Sequence, residues 1–233
     1  MFIVFEGIDG AGKSTAIQGV AEQLRQDGYR VELLSEIGSG VTGLASTLRR
    51  QLMAATDPRD QVGIIIAARR LAQTQVRRWL DQGGVVLQDR YVLSTVAYQG
   101  SQMLHIPPMD LVDLMFKTKK FLKPDVTLVL DVDPAAAAQR LQNRGVAKED
   151  QFDQMRIERA QAIRETLKDS TLLDIASDDY LPIDASQDLQ QVISTAAAAV
   201  TYKLAIGQHQ QREVSPCKQK TAVSSLCGPA IGR

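Results

Sequence analysis

Short apolar runs alternate with amphipathic segments along most of the chain. Five runs rich in β-branched, leucine or aromatic residues have the length of strands, at 2–5, 31–34, 85–87, 126–130 and 180–183. Apolar residues recur at helical spacing between these runs. The predicted helical segments are 14–27, 44–53, 60–81, a segment that starts near 94, 109–117, 134–168 with a polar interruption, and a last segment that follows 186 and ends near 204. Strands separated by helices predict right-handed βαβ crossovers. We therefore expect an α/β fold, with a five-stranded parallel sheet flanked by helices on both faces.

The periodic pattern stops before the last part of the chain. Residues 207–233 lack apolar periodicity and are rich in Gln, Ser and Lys, which predicts a flexible C-terminal tail. Residues 1–206 are then expected to form one domain, which suits a chain of 233 residues.

A glycine-rich turn lies between the first predicted strand and the first predicted helix. Its sequence, GIDGAGKST at residues 7–15, fits G-x-x-x-x-G-K-[ST], and the strand-to-helix context is the one in which this motif binds polyphosphates. Glycines let the loop wrap closely round the phosphates, with backbone N–H groups pointing inward at the helix N-terminus. Lys13 would neutralise the β- and γ-phosphates, and the Ser14 hydroxyl would ligate Mg²⁺. The predicted nucleoside triphosphate site consists of Gly7, Gly10, Ala11, Gly12, Lys13, Ser14 and Thr15.

A second polar pair follows the third predicted strand. Asp89 and Arg90 follow the apolar run one residue later, after Gln88, and are expected at the carboxyl edge of the predicted sheet, where ligands bind in this class of fold. The aspartate can hold Mg²⁺ or its water ligands, and the arginine can fork onto phosphoryl oxygens. A structural ion pair is the alternative interpretation of this dipeptide.

Charge and composition narrow the range of partners. The chain has 27 basic and 27 acidic residues, and this balance argues against a nucleic-acid partner. No apolar run approaches the roughly 18 residues of a membrane span, so no membrane partner is expected. Cys217 and Cys227 predict neither a metal site nor a disulfide framework, and we expect a cytoplasmic location.

Four collinear segments resemble the thymidylate kinase family, P-loop enzymes that phosphorylate dTMP using ATP. They are FIVFEGIDGAGKST from Phe2, QDRYVLSTVAYQG at 88–100, PDVTLVLDVDP at 124–134 with the residues up to Arg140, and IDAS at 183–186. The resemblance extends from Met1 to about Ala199. It implies a P-loop nucleotide-kinase fold, direct in-line phosphorylation of dTMP to dTDP, ATP and Mg²⁺ as cofactors, and a homodimer.

The resemblance also implies roles for individual residues. Asp9 would face the acceptor nucleotide, Arg90 would bridge the donor and acceptor phosphates, and Asp89 would support Mg²⁺. Tyr98 and Gln99 would line the acceptor sugar, with Tyr98 in the space that a ribose 2′-hydroxyl would need. The other implied contacts are Ser94 beside the base, Arg69 at the base edge, Arg49 at the acceptor phosphate, and Arg140, Ala185 and Ser186 at ATP.

The polar stretch 143–150 corresponds to the lid that closes over ATP in that family. It is short, and we expect Arg144 and Lys148 to supply its catalytic charge, with Arg156 or Arg159 in reserve. Closure of such a lid excludes water and so prevents futile hydrolysis.

Two segments depart from the family pattern on the acceptor side. The family motif R-E-P-G-G reads SEIGS at 35–39, which keeps Glu36 as a substrate contact but lacks the arginine and the proline. The aromatic residue that stacks on thymine corresponds to Ile65, for which a buried helix position is an equal alternative. A kinase for another deoxynucleoside monophosphate, or a nucleotide-binding protein with reduced catalysis, therefore stays open. A P-loop switch is disfavoured, because no N-K-x-D motif is present.

Overall fold

Residues 1–35, 45–144 and 157–214 are described by the structure, a computed structural model. In these ranges the strands form one five-stranded sheet in the order β2-β3-β1-β4-β5, and each neighbouring pair is parallel. The strands are β1 (Phe2–Glu6), β2 (Val31–Ser35), β3 (Val85–Asp89), β4 (Val126–Asp131) and β5 (Tyr180–Asp184). The predicted parallel sheet is confirmed, and each strand lies within two residues of its predicted bounds.

Both faces of the sheet are covered by helices. Successive side chains of a strand point to opposite faces, and all five residues of β1 are buried, so neither face of the central strand is open to solvent. This burial explains why the strand sequences are nearly continuous apolar runs instead of alternating ones. The helices are α1 (Lys13–Gln26), α2 (Ala45–Ala54), α3 (Pro58–Asp81), α4 (Val92–Thr95), α5 (Pro108–Asp113), α6 (Pro134–Asn143), α7 (Ile157–Lys168), α8 (Ser170–Ala176) and α9 (Leu189–Val214).

Two helices continue with a wider, π-helical winding. Helix α4 runs into a π-helical segment at Val96–Leu104, and α5 runs into another at Leu114–Thr118. The sequence predicted ordinary helices at both places, because apolar spacing alone does not reveal one extra residue in a turn. The first π-helical segment carries Tyr98 and Gln99, so its winding sets where these two predicted sugar contacts lie.

Local capping signals account for several helix starts. The Asp133 carboxylate accepts hydrogen bonds from the backbone N–H groups of Ala135 and Ala136, and Pro134 occupies the first helical position, as the sequence predicts. Asp169 caps α8 in the same way, through Thr171 and Leu172. Helix α8 was not expected, since the periodic pattern was interpreted as ending near Lys168.

The C-terminal helix is longer than the sequence pattern indicates. Helix α9 ends at Val214, whereas the predicted helix ends near 204, so the first part of the segment predicted as a tail is helical. Three Gln, one Arg and one Glu lie between 208 and 213, and these residue types are good helix formers. Residues 215–233, with Cys217 and Cys227, lie outside the described residues. In the described ranges no helix is both long and apolar enough to cross a membrane.

Candidate active site

The loop between β1 and α1 has the backbone geometry of a phosphate cradle. Gly10 and Gly12 have φ of +82° and +89°, in the left-handed region that glycine adopts readily. A Cβ on Gly10 would lie 2.4 Å from the Ala137 carbonyl oxygen, so this glycine lets the loop pack against α6. A Cβ on Gly12 would meet no described atom within 4 Å. The loop therefore contacts α6 at Gly10 and leaves room beside the first turn of α1.

The Lys13 ammonium group is buried inside this loop. Its Nζ donates hydrogen bonds of 2.9 Å to the carbonyl oxygens of Gly7 and Ile8, and only 6% of the residue is exposed. Burial, with a smaller contribution from the Arg90 cation, lowers the pKa of the Lys13 ammonium to about 8. Three nearby carboxylates, those of Asp9, Asp89 and Glu6, oppose this shift. Lys13 is thus a cation that lies close to the loop and is weakly solvated.

Ser14 and Asp89 form a hydroxyl–carboxylate pair next to the loop. Ser14 Oγ donates a 2.8 Å hydrogen bond to Asp89 Oδ2, while Asp89 Oδ1 is buried and accepts no hydrogen bond from the described part of the chain. Mg²⁺ in kinases usually takes one or two protein oxygens and completes its shell with waters and substrate phosphates. The pair fits that requirement. No group of three metal-binding side chains occurs among the described residues.

Arg90 connects the phosphate loop to the predicted acceptor side. It has a φ of +63°, which is unusual for a residue with a side chain. Its guanidinium forms an ion pair with Asp9, donates to Ser94 Oγ at 3.1 Å and to the Gly7 carbonyl at 3.4 Å, and lies 4.7 Å from the Tyr98 ring centroid. The Tyr98 hydroxyl donates to Asp9 at 3.1 Å, and burial raises its pKa. Asp9, Arg90 and Tyr98 therefore form one connected cluster.

Glu6 also belongs to this site, and sequence reasoning gave it no role. Its side chain is fully buried, and its carboxylate accepts hydrogen bonds from Tyr91 N at 2.9 Å, Ser94 N at 3.2 Å and Ser94 Oγ at 2.5 Å. Burial raises the pKa of Glu6, and these hydrogen bonds oppose the rise. The available signal was an acidic residue at the end of an otherwise apolar strand.

The base side of the predicted acceptor site is formed by α3 and α4. Arg69 is 2% exposed, donates to Thr95 Oγ1 at 3.2 Å, and lies 4.7 Å from the Tyr91 ring centroid and 5.4 Å from that of Phe121. Thr95 was not singled out from the sequence. Ser94, which was expected beside the base, is hydrogen-bonded to Glu6 and Arg90. The base contacts of Arg69 and Ser94 stay predictions.

Gln99 and Ile65 are both buried between helices. Gln99 donates a 3.4 Å hydrogen bond to Gln61 Oε1, and Gln61 donates in turn to the Ala55 carbonyl at 2.8 Å. Ile65 is 1% exposed and packs with Leu52 and Ala68, where α2 meets α3. This packing agrees with the alternative of a buried helix position for Ile65, and its contact with the base stays untested.

The remaining predicted residues that the structure describes lie in the phosphate loop, on α1, α2, α6 and α7, and in the turn after β5. Arg49 is exposed on α2, Arg140 is partly buried on α6, Arg144 is exposed at the end of α6, and Arg159 is partly buried on α7. The Ala185 backbone N–H donates to the Asp131 carbonyl at 2.8 Å, and Ser186 Oγ donates to Asp184 at 2.6 Å, which fixes the turn after β5. The loop residues Ala11 and Thr15 are buried and exposed respectively. Glu36, Lys148, Arg156 and the lid after Arg144 lie outside the described residues.

The site lies at the carboxyl edge of the β2-β3-β1-β4-β5 sheet. It contains the buried Lys13, the Ser14–Asp89 hydrogen bond and the ion pair of Arg90 with Asp9 of the loop. This combination is that of a P-loop phosphotransferase of the nucleotide-kinase type. The family model described as thymidylate kinase matches residues 5–195, and the chain belongs to that family.

Curated relatives named thymidylate kinase are similar in sequence to this chain over most of their length. The thymidylate kinase of Nitratidesulfovibrio vulgaris (strain DP4) is 36% identical over 215 residues, covering 88% of this chain and 93% of the relative. That of Shewanella loihica is 37% identical over 204 residues, with 82% and 90% covered. The probable thymidylate kinase of Archaeoglobus fulgidus is 32% identical over 193 residues, with the same two coverages.

Proposed function

We propose that this protein transfers the γ-phosphoryl group of ATP to dTMP, giving dTDP and ADP. The observation that carries the proposal is the position of the Arg90 guanidinium, paired with Asp9 in the phosphate loop and stacked on Tyr98. One cation between the donor loop and the acceptor wall can contact both reacting phosphates. An acceptor phosphate oxygen then attacks the γ-phosphorus in line, the bond to the β-phosphate oxygen breaks, and no covalent enzyme intermediate forms.

On the donor side, the chain supplies backbone N–H groups and the Lys13 ammonium. Lys13 can turn from the carbonyls of Gly7 and Ile8 to the β- and γ-phosphates, where weak solvation strengthens its attraction to the transferred group. Ser14 and Asp89 would hold Mg²⁺, which when bound neutralises phosphate charge. Arg140, Arg144 and the turn at Ala185 and Ser186 complete the proposed ATP site.

On the acceptor side, Tyr98 is held rigidly. Its ring stacks on Arg90 and its hydroxyl is bonded to Asp9, so the ring cannot swing away without breaking both contacts. A fixed ring beside the sugar favours a 2′-deoxyribose, because a 2′-hydroxyl would need the space that the ring fills. The other proposed contacts with the acceptor are Gln99, Arg49, Glu36 and Arg69. Asp9 would orient Arg90 towards the acceptor phosphate through their ion pair.

A second candidate is a kinase for a different deoxynucleoside monophosphate. Ile65 stands where the family has a base-stacking aromatic, and it is packed between α2 and α3. Stacking on that face of the base would then be absent, at a cost of about 1 kcal/mol if aromatic-pair values apply. The reaction class is the same for both candidates, and the base is what differs.

A coupled ADP-release assay with separate monophosphate acceptors tests the proposal. With ATP and Mg²⁺, dTMP is expected to give the highest kcat/KM, with dUMP second and dCMP, dAMP and dGMP far lower. Turnover of another deoxynucleotide with none for dTMP would replace the first candidate by the second. ADP release at the same rate without any acceptor would contradict both.

The proposal extends to the state of the protein in the cell. The family resemblance implies a homodimer, and the balanced charge and the lack of disulfide framework fit a cytoplasmic enzyme without a nucleic-acid or membrane partner. Light scattering after gel filtration is expected to give about twice the chain mass of 25.5 kDa.

A further inference from the structure

Glu6 and Ser94 form a hydrogen-bonded link behind the Arg90 guanidinium. We propose that this link positions Arg90 for phosphoryl transfer, so that Ser94 acts through Arg90 and not by contact with the base. The inference rests on the proposed function, because it assigns a role within the same site. Glu6 and Ser94 are positioning residues in this proposal, whereas Arg90 is the catalytic one.

The Glu6 carboxylate joins the end of β1 to the start of α4. One oxygen, Oε1, accepts from the backbone N–H groups of Tyr91 and Ser94, and the other, Oε2, accepts from the Ser94 hydroxyl. These three donors compensate a carboxylate that is fully buried and would otherwise be very costly. Glu6 therefore fixes the turn that contains Arg90. Glu6 itself is held in place because it is the last residue of β1, which is paired on both sides in the sheet.

The direction of the hydrogen bonds in this link is set by chemistry. A guanidinium has only donors, so the 3.1 Å contact between Arg90 Nη1 and Ser94 Oγ must be accepted by the hydroxyl oxygen. The single hydroxyl proton is then directed to Glu6 Oε2, at 2.5 Å. The Glu6 carboxylate thus polarises the Ser94 hydroxyl into a better acceptor for Arg90.

Arg90 is held from two sides, by groups of different kinds. Nη2 pairs with Asp9, which belongs to the phosphate loop, and Nη1 is bonded to Ser94, which belongs to α4. Two contacts on different nitrogens fix the plane of the guanidinium, and that plane decides how the fork meets two phosphates. The Asp9 contact can change when the loop takes up nucleotide. The Ser94 contact belongs to the framework of the fold and can hold the plane throughout the reaction.

Steady-state kinetics of Ser94→Ala, with Thr95→Val as the matched control, separate positioning from base contact. The neighbouring Thr95 hydroxyl is equally buried but bonds to Arg69. Ser94→Ala is expected to lower kcat by about 10- to 100-fold, the usual cost of a hydrogen bond to a charged group, and to change the dTMP KM less than about twofold. Thr95→Val is expected to raise the dTMP KM and nearly keep kcat. A raised dTMP KM with unchanged kcat in Ser94→Ala, or no change in either, would overturn the inference.

A double-mutant cycle tests whether Ser94 acts through Arg90. The kcat of Ser94→Ala/Arg90→Lys is expected to equal that of Arg90→Lys alone, within about twofold. In both variants the guanidinium that Ser94 would position is absent. Multiplying losses would overturn the inference. Glu6→Gln should behave like Ser94→Ala in the same cycle. Should Glu6→Gln fail to fold, the Ser94→Ala cycle decides by itself.

A crystal structure of Ser94→Ala makes the test independent of the substrate. The Arg90 guanidinium is expected to move away from the Gly7 carbonyl and the Tyr98 ring. An unmoved guanidinium would overturn the inference even if dTMP is the substrate. A displaced guanidinium in a protein that phosphorylates another monophosphate would overturn the proposed substrate and support the inference.

Discussion

Lys13 is a buried cation in the phosphate loop, and burial lowers its pKa to about 8. A lysine is rarely found as buried as this one, and desolvation is the first cause of its lowered pKa. The carboxylates of Asp9, Asp89 and Glu6 oppose the lowering of the pKa, so the ammonium stays mostly charged near neutral pH despite that burial. The Lys13 ammonium therefore loses its proton at a lower pH than an ordinary lysine. The pH dependence of ATP binding can measure this difference.

ATP binding is expected to weaken as the pH rises above about 8. The phosphates attract the ammonium form of Lys13, and its fraction falls about tenfold per pH unit once the pH exceeds the pKa. Calorimetric titration of ATP with Mg²⁺ from about pH 7 to about pH 9.5 measures the effect. Lys13→Ala should bind ATP weakly with little pH dependence over this range, and it should lose phosphoryl transfer. Equal slopes for the two proteins would contradict the prediction.

Arg90 is expected to depend on the shape of its side chain as well as on its charge. Arg90→Lys keeps the cation but loses the planar fork that can contact Ser94, Asp9 and two phosphates together. The kcat should fall by about 10²- to 10³-fold, the typical effect of removing one well-placed charge contact. Turnover within about threefold of wild type would reassign Arg90 to a structural ion pair.

At the scale of single elements, local capping signals explain several helix starts. Asp133 and Pro134 specify the start of α6 through atoms close in sequence, and they could be recognised without a structure. The end of α9 and the π-helical winding after α4 have no such marker. Tertiary packing also explains Gly10, whose neighbour Ala137 is far away in sequence.

Gly10→Ala is expected to destabilise the protein more than the matched variant Gly28→Ala. The two glycines have similar φ, +82° and +87°, so both variants bear the left-handed backbone cost of about 1–2 kcal/mol. Only at Gly10 would the new Cβ also meet backbone, at 2.4 Å from the Ala137 carbonyl, whereas at Gly28 it would meet no described atom within 4 Å. Urea unfolding curves compare the two free energies of unfolding. Equal losses would show that α6 can move away from the loop at no cost.

At the scale of the whole molecule, the order of the strands assembles the site. Strand β1 lies between β3 and β4, and Phe5 pairs with Asp89, so the phosphate loop and the Asp89–Arg90 turn leave the sheet side by side. The π-helical segment that follows then brings Tyr98 to within hydrogen-bonding distance of Asp9. The proposed donor and acceptor sites are thereby joined through contacts between residues distant in sequence, and from this arrangement we expect selectivity for the sugar.

The protein is expected to prefer dTMP to ribothymidine monophosphate, and dUMP to UMP. The Tyr98 ring is fixed by Arg90 and Asp9, and in the proposed acceptor site it would fill the space beside the sugar 2′ carbon. Each pair of acceptors shares a base, so a ratio of kcat/KM values isolates the 2′-hydroxyl, and we expect at least about tenfold preference for the deoxy form. Tyr98→Ala should reduce this ratio by opening the space. A wild-type ratio near one would contradict the placement of Tyr98 beside the sugar.

The sequence by itself determined the strands, most of the helices and the glycine-rich loop motif between β1 and α1. These features depend on residues that are close to one another in the chain. Backbone sterics and local hydrogen bonds, which decide between strand, helix and turn, act over the same short range. Five strands, the phosphate loop and the position of Asp89 and Arg90 at a strand end could therefore be predicted.

Only the tertiary structure decided which polar groups meet. Glu6 bonds to Ser94, Arg69 to Thr95 and Arg90 to Asp9 across separations of 88, 26 and 81 residues. No local pattern encodes such pairs. A buried polar group needs a hydrogen-bond partner, and the packing of the whole fold decides which group lies within reach. For the same reason Ser94, expected beside the base, is bonded to Glu6 and Arg90, and Ile65 lies packed between two helices.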